Sequence, residues 1–197
     1  MEIPGGKDYL AIQTENTSSI RYALYDIEKV FIKGGILSGV TVLAIEYPAN
    51  AAYIRLSSNK TNIGTVTLSA GNNMVTSWGD PGNNGLGDNG NIGATAVVYR
   101  ISDGYVKIPD GAKTLFWCNK SGYSFAKTEC AVYDDRYIGV GHAGSHTLGG
   151  GAFGTNFVQN KIDLATLNNA MYFKAHVNDA SNANNNNPAE QYVIGYI

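Results

Sequence analysis

Charge is scarce in this chain. Charged residues make up 15% of its 197 positions and the formal net charge is -2, whereas soluble domains usually carry roughly 25% charged residues. The basic residues are scattered singly, so no stripe of positive charge is available for a phosphate backbone, and nucleic acid is set aside as a partner. Gly, Asn, Ser and Thr fill the surface instead, and amides and hydroxyls hydrogen-bond neutral polyols without a strong field. Long apolar runs are missing too. None approaches the roughly 18 residues that a bilayer span requires, so membrane insertion is not expected. The opening Met1-Glu2-Ile3-Pro4-Gly5-Gly6-Lys7-Asp8 lacks the basic region and greasy stretch of a secretory signal. That leaves either a protein used without that export route or a fragment of something larger. Cysteine is limited to Cys118 and Cys130, 12 residues apart on predicted strands. They read as two buried thiols or as a cross-hairpin disulfide, and their spacing fits no zinc site.

Catalytic motifs are equally sparse. There is no P-loop, dinucleotide fingerprint, nucleophile elbow or HExxH. His142 and His146 stand in a glycine-rich passage, where an HxxxH pair lacks the helix that would align its rings, and His176 lies on the predicted strand that begins at Tyr172. Glycoside cleavage needs two carboxylates about 5–9 Å apart. Asp134 and Asp135 are adjacent and would face opposite sides of a strand, so they read as turn residues. The chain is therefore not expected to be an enzyme.

Helix signals are nearly absent, and period-2 runs of β-branched and aromatic residues take their place. Predicted strands include Tyr9 to Gln13, Ile20 to Tyr25, Val30 to Lys33, Thr41 to Ile45, Tyr53 to Ser57, Ala94 to Ile101, Tyr105 to Ile108, Thr114 to Cys118, Lys127 to Tyr133, Tyr172 to Val177 and Tyr192 to Tyr196. One helical turn is expected within Leu164 to Ala170. Many short strands separated by turn residues predict an all-β chain of antiparallel sandwich units.

A repeated phrase divides the chain. Arg21-Tyr22-Ala23-Leu24-Tyr25-Asp26 followed by Phe31-Ile32 returns as Glu129-Cys130-Ala131-Val132-Tyr133-Asp134 followed by Tyr137-Ile138. Each copy leads to a second shared phrase, Ala52-Tyr53-Ile54-Arg55-Leu56 and Met171-Tyr172-Phe173-Lys174-Ala175. One structural unit used twice is the expected reading, with units at 1–76 and 94–197 and a Gly/Asn-rich linker or loop at 77–93. The aspartates should close turns through backbone N–H groups. Ala23 and Ala131 suggest close approach of an opposing sheet. Pro48-Ala49-Asn50-Ala51 is echoed by Pro109-Asp110-Gly111-Ala112. The distance from Tyr25 to Tyr53 is 28 residues and that from Tyr133 to Tyr172 is 39, a surplus assigned to an insertion at 142–155. The strand Gly104 to Ile108 has no counterpart in the first copy, which implies a smaller, trimmed or externally completed first unit.

Two kinds of binding residue stand out. Alternation turns Tyr53 and Arg55 outward, and Tyr172, Lys174 and His176 outward on the partner strand. With Trp78, these are the glycan-binding candidates, since a ring can stack on a pyranose while polar neighbours take its hydroxyls. No cofactor is expected, although Asp80, Asn84 and Asp88 supply hard oxygen ligands of the type calcium accepts in the 77–93 passage.

The pattern S-S-I-R-Y-A-L-Y-D-x4-F-I-K-G (Ser18 to Gly34), then P-A-N-A-A-Y-I-R-L (Pro48 to Leu56), resembles jelly-roll, carbohydrate-binding-like modules. Such modules are common in surface proteins of bacteriophage tails and heads and of gut bacteria. The resemblance implies a virion surface protein, a capsid decoration or tail-fibre component assembled in the host cytoplasm, touching virion proteins or cell-surface polysaccharide and able to form a homo-oligomer. The alternative is a carbohydrate-binding accessory module of a secreted enzyme or adhesin, working outside the cell. No binding residue carries over from the resemblance, because the matching residues belong to cores and turns.

Overall fold

A computed structural model describes residues 1–14, 19–37, 42–58, 66–80, 82–86, 90–119, 128–143, 161–178 and 192–197. The described chain is all-β: β1 (Tyr9–Gln13), β2 (Ile20–Tyr25), β3 (Phe31–Leu37), β4 (Val42–Glu46), β5 (Tyr53–Ser57), β6 (Thr67–Gly71), β7 (Gly82–Leu86), β8 (Ile92–Ile101), β9 (Val106–Lys107), β10 (Thr114–Asn119), β11 (Thr128–Tyr133), β12 (Gly139–Ala143), β13 (Lys161–Asp163), β14 (Tyr172–Asn178) and β15 (Tyr192–Tyr196). The expected helical turn is a short 3-10 turn at Leu164–Thr166, capped by the Asp163 side chain. Among the described residues no helix is long and apolar enough to cross a membrane.

Two compact units separate after Asn72. In the first, antiparallel sheets run in the orders β4-β1-β6 and β3-β2-β5. In the second, the orders β13-β10-β15 and β12-β11-β14 recur, and the latter sheet grows by β8 and β7 beyond β14. The core of the second unit lies between its sheets. Leu115, Trp117, Ile162 and Ile194 from one meet Cys130, Val132, Phe173, Ala175 and Val177 from the other. Each Leu, Ile, Val or Phe among them contributes about 1.5–3 kcal/mol on burial. Leu10, Ile12, Leu43, Ile45, Leu24 and Ile54 are the buried counterparts in the first unit. Cys118 and Cys130 are both buried thiols not joined in a disulfide.

The repeated phrase folds alike twice as far as its aspartates; beyond them the expected match of Phe31 with Tyr137 fails, because Tyr25 pairs with Phe31 whereas Tyr133 pairs with Gly139, so Tyr137 takes the place of Lys29. Tyr25 pairs with Tyr53 and Ala23 with Arg55, as Tyr133 pairs with Tyr172 and Ala131 with Lys174. Both aspartates close the expected turn. Val30 N–H donates to Asp26 Oδ1 at 2.7 Å, and Ile138 N–H to Asp134 Oδ1 at 2.9 Å. Lys29 and Tyr137 then take left-handed backbone angles, with φ of 65° and 61°.

Other expectations change as well. The first copy has its own counterpart of β9: Glu2 bridges Tyr53, and Ile3 N–H donates to Ala52 O at 2.9 Å as Ile108 N–H does to Met171 O at 2.9 Å. Pro109 therefore matches Pro4 rather than Pro48, and positive-φ Gly6 matches positive-φ Gly111. Next, Ala131 faces away from the opposing sheet. It packs with Leu86 and Tyr133 on the outer face, while its neighbours Cys130 and Val132 face the core. Finally, the Ser77 to Gly93 passage contains strand β7, which pairs with β8. His142 lies on β12 opposite Ala131. His146 falls outside the described residues.

Candidate functional site

The outer face of β11 and β14 carries an aromatic cluster built around Tyr105. The chain follows one edge of β14 as β8, leaves it at Asp103–Gly104, and returns as β9. Gly104 has φ of 62°, a conformation that favours glycine. This excursion sets the Tyr105 ring against Tyr133 (centroids 4.9 Å, planes at 87°) and Tyr137 (4.5 Å, 40°). Tyr137 in turn meets Tyr172 at 5.0 Å. Lys174 Nζ sits 4.8 Å from the Tyr105 centroid, a cation–π contact, and donates to Ser102 O at 3.3 Å.

Alternation places Tyr172, Lys174 and His176 on one face, and the structure brings them together there. It also covers them: Lys174 and His176 are buried. His176 stacks on Tyr99 (4.2 Å, 17°) and its Nδ1 accepts the Leu86 N–H at 2.8 Å. An accepting Nδ1 places the ring proton on Nε2, so this histidine anchors β7 through the atom a metal would otherwise take. Tyr133 O–H donates to Gly90 O at 2.5 Å.

Burial shapes the electrostatics. Desolvation pushes the Tyr133 hydroxyl well above the ordinary tyrosine range, with Tyr105 and Cys130 adding to the effect. Desolvation also lowers Lys174, against the pull of Asp103. Interaction with Tyr172 raises Tyr137. Asp134 moves down, because the Ile138 N–H, then Arg136, stabilise its charged form. A general acid for glycoside cleavage needs the opposite shift.

The matching face of the first unit is more open. Met1, Tyr25, Lys29, Tyr53 and Arg55 line a pocket of about 250 Å³. Tyr53 is half-buried and Arg55 exposed, so these two candidates share one site. Trp78 does not belong to either face: it bridges Ser102 and packs against the core of the second unit. Of the calcium candidates, Asn84 is an exposed residue on β7 and Asp80 is exposed ahead of it, while Asp88 falls outside the described residues. Among the described residues no three His, Cys, Asp or Glu side chains gather as a metal site.

Sequence reading missed Tyr105, Tyr137 and Tyr99. The signal that points to Tyr105 and Tyr137 is their concentration beside Tyr133 and Tyr172 in the repeat. No protein-family model matches this chain, and a search of curated proteins finds no match.

Proposed function

We propose that the protein is a non-enzymatic virion surface component, a capsid decoration or tail-fibre element of a phage, working through contacts of its outer sheet faces. The jelly-roll resemblance of the Ser18 to Leu56 pattern suggests the setting, with assembly in the host cytoplasm. One observation carries the contact role: both outer faces keep aromatic rings at the surface, Tyr53 beside the exposed Arg55 in the first unit, and Tyr105 and Tyr137 over the buried Tyr133 and Lys174 in the second. Two such faces on one chain suit repeated contacts, because linked sites gain avidity. Asp134, held ionised by its turn, supports a structural role for the most conspicuous acid. Purified protein should bind emptied capsids or form symmetric oligomers in sedimentation. A monomer that ignores capsids sinks this reading.

A second reading is a carbohydrate-binding module of a secreted enzyme or adhesin. The exposed Arg55 beside Tyr53, at the rim of a pocket, favours it. A glycan array should then give hits that weaken with Tyr53→Ala, and a blank array removes this reading.

A further inference from the structure

We propose that Tyr105 and Tyr137 form a covalent modification site, at which a peroxidase-type oxidant joins the two rings as dityrosine. The bond would staple the Asp103–Gly104–Tyr105 excursion to the Asp134 turn. This goes beyond the virion reading and stands whether or not that reading does.

Geometry selects the pair. The two ring centroids lie 4.5 Å apart with planes at 40°, which brings the ring edges to about van der Waals contact. Both rings reach solvent, Tyr105 with 41% and Tyr137 with 50% of its surface exposed, so an external oxidant has access and water can accept their protons. Tyr133 also touches Tyr105, but it is buried and its hydroxyl is committed to Gly90 O. Tyr172 is half-buried and meets Tyr137 at the longer distance of 5.0 Å.

The backbone singles out the same two residues. Tyr137 has φ of 61°, a conformation that bulky side chains rarely adopt. The equivalent turn position of the first unit holds Lys29 at φ of 65°, so the turn does not itself call for an aromatic ring. Gly104, with φ of 62°, delivers Tyr105 from the other side. Two left-handed corners from separate segments thus converge on one ring pair.

The chemistry balances with hydrogen peroxide as the oxidant. An external haem peroxidase removes one electron from each ring, and each phenol releases its proton. The two phenoxyl radicals combine through carbons ortho to their oxygens, forming one C–C bond. The ortho hydrogens then pass to the two oxygens and restore both phenols. Two hydrogens leave the protein and the peroxide becomes two water molecules. The staple restricts the unfolded chain as a disulfide does.

The test treats dilute intact protein with a haem peroxidase and hydrogen peroxide, followed by trypsin. Cleavage after Arg100, Lys107, Arg136 and Lys161 leaves Tyr105 and Tyr137 as the sole tyrosines of peptides 101–107 and 137–161. The expected product is a monomer two hydrogens lighter, with dityrosine fluorescence, these two peptides joined, and a higher urea midpoint. Tyr105→Phe and Tyr137→Phe each retain a ring but lack the phenol, and either should reduce the joined peptide to background. Urea midpoints before oxidation separate lost chemistry from lost packing, and the parent's peptide map decides by itself if a variant fails to fold. The proposal is overturned if the two peptides stay unjoined, if other tyrosines are linked instead, if only intermolecular dimers form, or if the yield ignores Tyr137→Phe.

Discussion

Tyr105 stands edge-on to Tyr133, with ring centroids 4.9 Å apart and planes at 87°, and through this contact an irregular excursion between β8 and β9 is pinned to the sheet. The same ring covers Lys174 Nζ at 4.8 Å and meets Tyr137 at 4.5 Å. Aromatic pairs contribute about 0.5–1.5 kcal/mol each beyond burial, and a partly exposed cation–π contact about 1 kcal/mol. Tyr105 is itself 41% exposed, which limits its share of burial energy. Tyr105→Ala should therefore destabilise by about 2 kcal/mol in urea unfolding. A stability change within error would mean the cluster is an incidental surface contact.

The turn at Asp134 gives a pH signature. Its carboxylate accepts the Ile138 N–H, the Arg136 N–H and the Arg136 guanidinium, and its folded pKa lies below the ordinary value. A depressed folded pKa contributes stability that is present above the unfolded carboxylate pKa of about 3.9 and disappears as pH falls through the folded value. Asp134→Asn should consequently be less stable than the parent at neutral pH, and the two should converge in strong acid. Denaturant midpoints measured from pH 7 downward check this. Parallel curves would show that the charge is immaterial.

Tyr133 governs the alkaline side. Its folded pKa is raised, chiefly by burial, so the folded state keeps a proton that the unfolded chain releases above about pH 10. Stability should fall with pH beyond that point. Lys174 acts in the other direction: its folded pKa is lowered, so stability rises between that value and the ordinary lysine pKa of about 10.4. Comparing Tyr133→Phe with the parent isolates the tyrosine. The variant should lose about 1 kcal/mol at neutral pH with the Gly90 hydrogen bond, and should lose less than the parent on further alkalinisation. Equal alkaline slopes would assign the effect elsewhere.

Much of the fold was legible because the side-chain period of a strand is short and local. The bounds of β1, β2, β5 and β15 match the expected ones, and alternation placed Tyr172, Lys174 and His176 on one face. Strand β7 escaped notice because its sequence, Gly-Asn-Asn-Gly-Leu, has no alternation of its own. It forms by pairing with β8, and its last N–H is taken by His176, 90 residues away. Burial of the candidate site was hidden for the same reason: Tyr105 and β7 cover residues distant in sequence. The first copy's Ile3-Pro4 was overlooked as a match for Ile108-Pro109 because a two-residue identity carries little weight until backbone pairing places it. Ala131 was assigned to the wrong face since smallness alone does not say which layer approaches.

Close backbone approach separates glycines that the sequence cannot rank. Gly34 on β3 pairs with Ala23, and a Cβ added there would stand 2.6 Å from Tyr22 O, a main-chain atom held within the same sheet. That oxygen can retreat only by spreading β2 from β3, which would weaken the ladder on which the Asp26 turn depends. At Gly93 on β8 a Cβ meets nothing within 4 Å, and an alanine there merely restricts the unfolded chain. Gly34→Ala should accordingly cost about 1–3 kcal/mol, the usual range for forced overpacking, whereas Gly93→Ala should be neutral or gain a few tenths. Paired urea titrations decide the matter, and equal effects would mean that β2 and β3 can separate at this level without loss.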